Sequence, residues 1–341
     1  MRNDYGVTHF EVLNEPDYAG QGWLEYGGTM TEYAQLVLDA HDAISYANSF
    51  AGLPVHIHAP VVASYSSSYV AYTLDNADAA VQVVDYHTYA PDVRPSSLGI
   101  SATISSHNPD GVREPIWVSE WGALWTSYDT FARAMLTANQ LLTFSEEEVE
   151  GVTIFNMTDW LTATGQDYGL VDLQDDGMGG VLRIPTESYY AYRLMTRGLV
   201  GGKKRLDHTT SGLSVGMRTM VTSDTQQIYV AVLRDGVGMT GTVSVDMTAI
   251  GSGSGVVTVW EYSVTNKDVV VEMPALTDGW FSFTAPADGI SLARVELGDL
   301  NAVRLSDLEA RTGGSPWAAS TALALAASGA WLVTRWRRER G

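Results

Sequence analysis

The chain has 341 residues, 45% hydrophobic and 10% aromatic, which is ample for a buried core and more than one domain and excludes a wholly disordered polypeptide. Its formal charge of −20 excludes the basic surface that displaces counterions from nucleic acid, so no DNA or RNA partner is expected. The absence of cysteine excludes disulfides, thiolate chemistry and cysteine-based zinc sites.

The first residues, Met1 to Gly6, lack the charged and apolar regions of an export leader. Residues 8–14 then read as a short apolar strand, ending in Asn14-Glu15-Pro16-Asp17. Apolar residues at helical spacing, Tyr33, Leu36, Leu38, Ala43 and Ile44, predict a helix over 29–50. A second strand is expected over 55–63, a helix over 67–79 and a third strand over 81–89, which contains Asp85-Tyr86-His87-Thr88-Tyr89. A polar, proline-bearing connection leads to a fourth strand over 116–120, closed by Glu120-Trp121-Gly122. A helix over 129–142, a fifth strand over 149–156 ending near Asp159-Trp160, and a helix over 186–197 complete this region.

Strands that are apolar on both faces and alternate with helices predict an α/β fold, a parallel sheet covered by helices, with a barrel as its closure. Glu15 and Glu120 are separated by roughly 105 positions, or three strand–helix steps of about 35. Two carboxyl groups held at strand ends are what hydrolysis of a sugar acetal needs: one proton donor, and one nucleophile or base.

From about residue 203 the pattern changes to short alternating runs over 213–221, 227–233, 242–247, 256–262, 269–273, 280–283 and 291–297, separated by turns. Seven short strands without a helix predict an antiparallel β-sandwich. Residues 298–316 read as a polar linker. The uncharged run 317–334, followed by Arg335, Arg337, Arg338 and Arg340, predicts a transmembrane helix about 25–27 Å long with its arginines on the cytoplasmic side. The domains expected are therefore 1–200, 201–297, the linker 298–316 and a membrane anchor 317–341, with the body outside the cell. A terminal amphipathic or core helix is the alternative for the last segment.

Asn14-Glu15-Pro16 after one strand and Glu120-Trp121-Gly122 after a strand three units later resemble the retaining glycoside hydrolases of clan A. The His87-Thr88-Tyr89 and Trp160 positions, the Tyr-Tyr-Ala-Tyr-Arg-Leu helix and the sandwich after it extend the resemblance over residues 8–297. The β-xylosidase/iduronidase and β-agarase branches look most similar. The resemblance implies a (β/α)8 barrel whose acid/base glutamate follows strand 4 and whose nucleophile follows strand 7. Strand 8–14 then takes the place of the fourth, and the first three strand–helix units, about 90–100 residues, are expected in a longer gene product. A chain lacking them is expected to have little activity.

By resemblance, Glu15 is the acid/base, Glu120 the nucleophile, and Asn14 binds the hydroxyl beside the anomeric carbon. Tyr89 hydrogen-bonds Glu120 and His87 shapes the subsite floor, although either could equally be core. Trp121, Trp125 and Trp160 are sugar platforms or simple packing. Glu146-Glu147-Glu148 reads as a solvated charge run, and Glu11 as a strand residue that needs a partner if buried. Asp172, Asp175 and Asp176 read as a loop over the barrel mouth, because their spacing is not that of a calcium loop. No metal or organic cofactor is required by the chemistry. The function expected is retaining hydrolysis of β-glycosidic bonds in a plant or algal polysaccharide or oligosaccharide. The alternative is a non-catalytic, surface-anchored glycan-binding protein with a degenerate barrel.

Overall fold

The computed structural model describes residues 6–18, 23, 27–109, 111–122, 130–155, 157–158, 169–200, 203–224, 226–248 and 254–296, together with the backbone of 322–327 and 330–335. The chain forms two compact units, one of residues 1–126 and 143–169, the other of 127–142 and 170–341. The division thus falls near 170 and within a helix, whereas the sequence places a boundary at 200.

In the first unit, β1 (His9–Glu11), β2 (His56–Val62), β3 (Val83–Thr88), β4 (Ile116–Trp121) and β5 (Val149–Ile154) form one parallel sheet in sequential order. Between them run α1 (Met30–Ser49), α2 (Ser67–Ala77) and α3 (Arg94–Ser106), while α4 (Phe131–Glu146) is shared between the units. Every residue of β3 is buried, as are Ile57 to Val62 of β2, so both faces of these strands are covered, with His58, Asp85, His87 and Thr88 as buried polar members among the apolar ones. Fully burying each such valine or isoleucine contributes roughly 1.5–3 kcal/mol. The helix α1 begins at a capping box: Glu32 N donates to Thr29 Oγ1 (3.2 Å), and Thr29 N donates to Glu32 Oε2 (2.9 Å). It buries Tyr33, Ala34 and Val37, and the Tyr33 hydroxyl donates to Val12 O (2.9 Å), fixing the segment that leads to Glu15. Among the described residues, the outer strands β1 and β5 each pair on one side only, so the sheet described is a partial barrel with two open edges.

One helix lies where the sequence predicts a plain connection. Pro95 occupies the first turn of α3, where its missing N–H costs nothing. This helix also corrects the reading of the acidic run, because Arg94 pairs with Glu147 and, at 2.5 Å, with Glu146, while Arg113 reaches Glu148 at 3.1 Å. The run is ion-paired rather than freely solvated.

In the second unit, β6 (Val171–Asp175) and β7 (Val181–Pro185) form an antiparallel hairpin where a loop is expected. Its aspartates cap their own turn: Asp175 Oδ1 accepts Gly177 N, and Asp176 Oδ1 accepts Met178 N and Gly180 N, all at 2.7–2.8 Å. The helix α5 (Glu187–Leu199) follows. Two antiparallel sheets come next, built from β8 (Lys204–Leu206), β9 (Thr209–Ser211), β10 (Met217–Ser223), β11 (Gln227–Arg234), β12 (Gly241–Asp246), β13 (Val256–Ser263), β14 (Lys267–Glu272), β15 (Trp280–Ala285) and β16 (Gly289–Glu296). One sheet runs in the order β14-β13-β16-β11-β10-β8. Alternate residues, such as Ile228, Val230 and Val232, or Val243 and Val245, fill a shared core with Phe281 and Phe283. The buried Asp268 is held by Arg193 and Arg197 of α5, the latter at 2.9 Å, and Glu187 pairs with Lys267 at 2.6 Å.

A transmembrane helix is expected over 317–334, but the described backbone at 322–327 and 330–335 is not helical. The backbone there makes β17 (Ala322–Ala327) and β18 (Ala330–Arg335), an antiparallel pair in the second sheet, whose order is β15-β12-β17-β18-β9. The run suits strands as well as a helix, because leucine and alanine alternate at 322–326. Among the described residues no helix is long and apolar enough to cross a membrane. The linker 298–316 lies outside the described residues.

Candidate active site

The site is assembled at the C-terminal ends of the parallel strands. Past β1 the chain leaves regular strand geometry: Leu13 and Glu15 adopt left-handed φ values of 66° and 48°, conformations that non-glycine residues adopt at a cost. Neighbouring backbone holds the segment in place. Asn14 bridges Val61, Glu15 N donates to Val61 O (3.0 Å), Tyr18 N donates to Glu15 O (3.0 Å), and Asp17 Oδ1 accepts Ala63 N (2.8 Å). Irregularities in strand register fall between His58 and Val61, between Asp85 and His87, and between Val118 and Trp121. Such bulges re-aim the side chains that follow them.

Beyond the bulge in β3, His87 is register partner to Glu120 of β4. His87 Nδ1 lies 2.8 Å from Glu15 Oε1 and 3.3 Å from Glu120 Oε2, and the Tyr89 hydroxyl donates to Glu120 Oε1. The imidazole is 1% exposed, whereas both carboxylates are 23% exposed. Ligand atoms of Glu15, His87 and Glu120 all lie within 4.8 Å of one another. In a flat sheet, three inter-strand steps of about 4.8 Å would set β1 and β4 about 14 Å apart. The convergence of their side chains therefore requires the curl of a barrel wall. A buried imidazole that donates between two partly exposed carboxylates fixes their positions and leaves oxygen lone pairs open to a ligand.

Two further groups complete the surroundings. Burial holds the Asp17 carboxyl above the usual carboxylate range, the charge of Glu15 adds to the effect, and the Ala63 N–H opposes it. Gly122 lets the end of β5 approach closely: Phe155 N donates to Trp121 O (2.7 Å), and a Cβ at position 122 would lie 2.7 Å from Phe155 O. Phe155 in turn stands edge-on to Tyr89, with ring centroids 6.2 Å apart.

The structure thus brings together Glu15, Glu120, His87 and Tyr89. Asn14 is exposed beside them. Trp121 is not a sugar platform: it is fully buried and packs edge-on against Phe144 at 5.4 Å. Adjacent strand residues face opposite sides, so a tryptophan next to an inward-facing Glu120 points away from the site. Trp125 and Trp160 lie outside the described residues. The sequence assigns no role to Asp17, His58 or Asp85 and marks Glu11 only as a strand residue in need of a partner if buried; Glu11, which is exposed, forms with His58 and Asp85 a second group with ligand atoms within 4.8 Å of one another. The signal for that group was the alternation His56-x-His58 and Asp85-x-His87 on neighbouring strands.

No known family profile matches the sequence, and no curated protein matches it. Solved structures do. An endoxylanase of glycoside hydrolase family 30 from Clostridium papyrosolvens C71 aligns with a TM-score of 0.59 at 16% identity, over 85% of this chain and 66% of that one. A family 30 subfamily 8 xylanase from Clostridium acetobutylicum gives 0.62 at 14% identity, over 85% and 66%. An alpha-L-arabinofuranosidase from Thermotoga maritima gives 0.60 at 16% identity, over 86% and 67%. These neighbours are clan A glycoside hydrolases. The fold shared with them is a partial TIM barrel, a parallel half-barrel of five strands, accompanied by antiparallel sheets. The chain spans about two thirds of the length of the solved structures it matches.

Proposed function

We propose that this protein hydrolyses β-glycosidic bonds with retention, acting on a plant or algal polysaccharide or its oligosaccharides. Glu15 is the general acid/base and Glu120 the nucleophile. The observation that carries this reading is the approach of the two carboxylates across His87, with ligand atoms of all three residues within 4.8 Å of one another. Retaining enzymes hold their carboxyl groups about 5–5.5 Å apart, while inverting enzymes leave about 6.5–9.5 Å for a water molecule. Glu120 attacks the anomeric carbon as Glu15 gives its proton to the leaving oxygen. Glu15 then takes a proton from the water that releases the sugar. Tyr89 and His87 are positioning residues: the first donates to Glu120 and the second holds both carboxylates at their working separation. Asn14 contacts the hydroxyl next to the reacting carbon, where positive charge develops.

In this reading the five parallel strands stand for strands 4 to 8 of an eight-stranded barrel, and three further strand–helix units of a longer chain close the open edges of β1 and β5. Neighbours described as xylanases and an arabinofuranosidase make xylan and arabinoxylan the first substrates to try. A polymer of that kind is met outside the cell. Release of reducing sugar by the whole gene product should be measured on xylan, arabinoxylan, agar, mannan and mixed-linkage glucan. Turnover of at least one of them is expected, falling at least about 10³-fold in Glu120→Gln. Turnover that survives that substitution would refute the assignment.

A further inference from the structure

The same strands carry a second group of ligating side chains that the proposed hydrolysis does not use. Register pairs Glu11 of β1 with His58 of β2, and Asp85 lies on β3, two positions before His87. One oxygen of Glu11, one ring nitrogen of His58 and one oxygen of Asp85 lie within 4.8 Å of one another. His58 and Asp85 are 2% and 0% exposed, whereas Glu11 is exposed. The two buried members are held firmly. His58 Nδ1 is 2.8 Å from Asp85 Oδ2, His58 Nε2 is 2.9 Å from His9 Nδ1, and Asp85 Oδ1 accepts Ser119 N (2.9 Å). Aromatic rings fix the imidazoles: His9 stacks on His56 at 4.5 Å and on Trp117 at 4.8 Å, and Trp117 stands edge-on to His58 at 4.9 Å.

We propose that Glu11, His58 and Asp85 bind a divalent first-row transition ion, with zinc as the probe, and that the ion clips β1, β2 and β3 together. Two carboxylates balance the charge of one divalent cation. An imidazole nitrogen with two carboxylate oxygens suits zinc, manganese or iron, whereas calcium takes six to eight oxygens. Metal-bound histidines keep an outer hydrogen-bond partner on the second ring nitrogen. Because Asp85 is itself a ligand, the ion lies on the His58 Nδ1 side that Asp85 Oδ2 faces, and Nε2 keeps its partner in His9. Metal–ligand bonds of about 2.0–2.2 Å bring donors to roughly 3–3.5 Å apart. Glu11, the exposed member, closes that distance by a change of rotamer, and its exposure is the route of entry.

The test is a calorimetric titration of zinc into the untagged full chain after chelator treatment, with thermal melts in parallel. The expected result is uptake of one equivalent, a higher melting temperature with zinc, and affinity at least about tenfold weaker in Glu11→Gln. Because Glu11 is exposed, that variant should melt like the parent without metal, which keeps the comparison interpretable. Glu120→Gln controls for the other cluster and should bind zinc as the parent does. Absence of stoichiometric uptake, unchanged affinity in Glu11→Gln, or loss of binding in Glu120→Gln would each overturn the proposal.

Discussion

Asp17 shows how the site bears on stability at the scale of one residue. Burial and the neighbouring Glu15 charge raise its pKa above the ordinary 3.8, so the folded protein favours the protonated carboxyl. The sign follows from linkage: the stability that this group contributes is complete below 3.8 and is lost as pH rises through the raised folded-state value. Asp17→Asn keeps an acceptor for Ala63 N and removes the charge. Urea denaturation across pH should find the variant more stable than the parent at pH 7, with the gap closing below 3.8. A variant less stable at neutral pH would contradict this account. Glu15, Glu120, His87 and Tyr89, which the structure brings together, stand out in the sequence because each lies near or just past the end of a run that apolar residues mark out. For Trp121 the sequence leaves sugar platform and simple packing open, and the two-residue period of the strand beside Glu120 decides for packing. The left-handed turns at Leu13 and Glu15 leave no mark, since neither residue is the glycine that such φ values favour.

At the scale of elements, the five parallel strands and the seven runs of the sandwich were readable from period and turn residues, whereas α3 was not. Serine and Gly99 weaken its helical pattern, yet that glycine has a packing role: a Cβ there would lie 2.4 Å from the Tyr65 ring, whose hydroxyl bonds Thr103 at 2.9 Å. A close approach of this kind depends on a partner far along the chain, so local pattern cannot reveal it. Gly122 acts similarly at the junction of β4 and β5, where added bulk meets Phe155 backbone rather than a movable side chain. Gly122→Ala should therefore cost about 1–3 kcal/mol in chemical denaturation. It should also lower turnover, because the strand end that shifts carries Glu120. A variant that matches the parent in both would show that the approach of β5 is not needed.

For the whole molecule, the sequence pointed to a barrel wall followed by a sandwich, and the structure forms a curled parallel sheet and two antiparallel sheets. The apolar run before the terminal arginines misled because Ala-Leu-Ala-Leu satisfies a strand period as readily as a helical one, and only sheet neighbours distant in sequence decide between them. The central claim concerns the curl of the first unit, which carries two glutamates from separated strands to one imidazole. It is tested most directly by incubating the whole gene product with a 2-deoxy-2-fluoro glycoside bearing a good leaving group, then mapping the modified peptide by mass spectrometry. The account predicts a single covalent glycosyl adduct on Glu120, absent from Glu120→Gln. An adduct on another residue, or none on a folded protein that turns over polysaccharide, would contradict it.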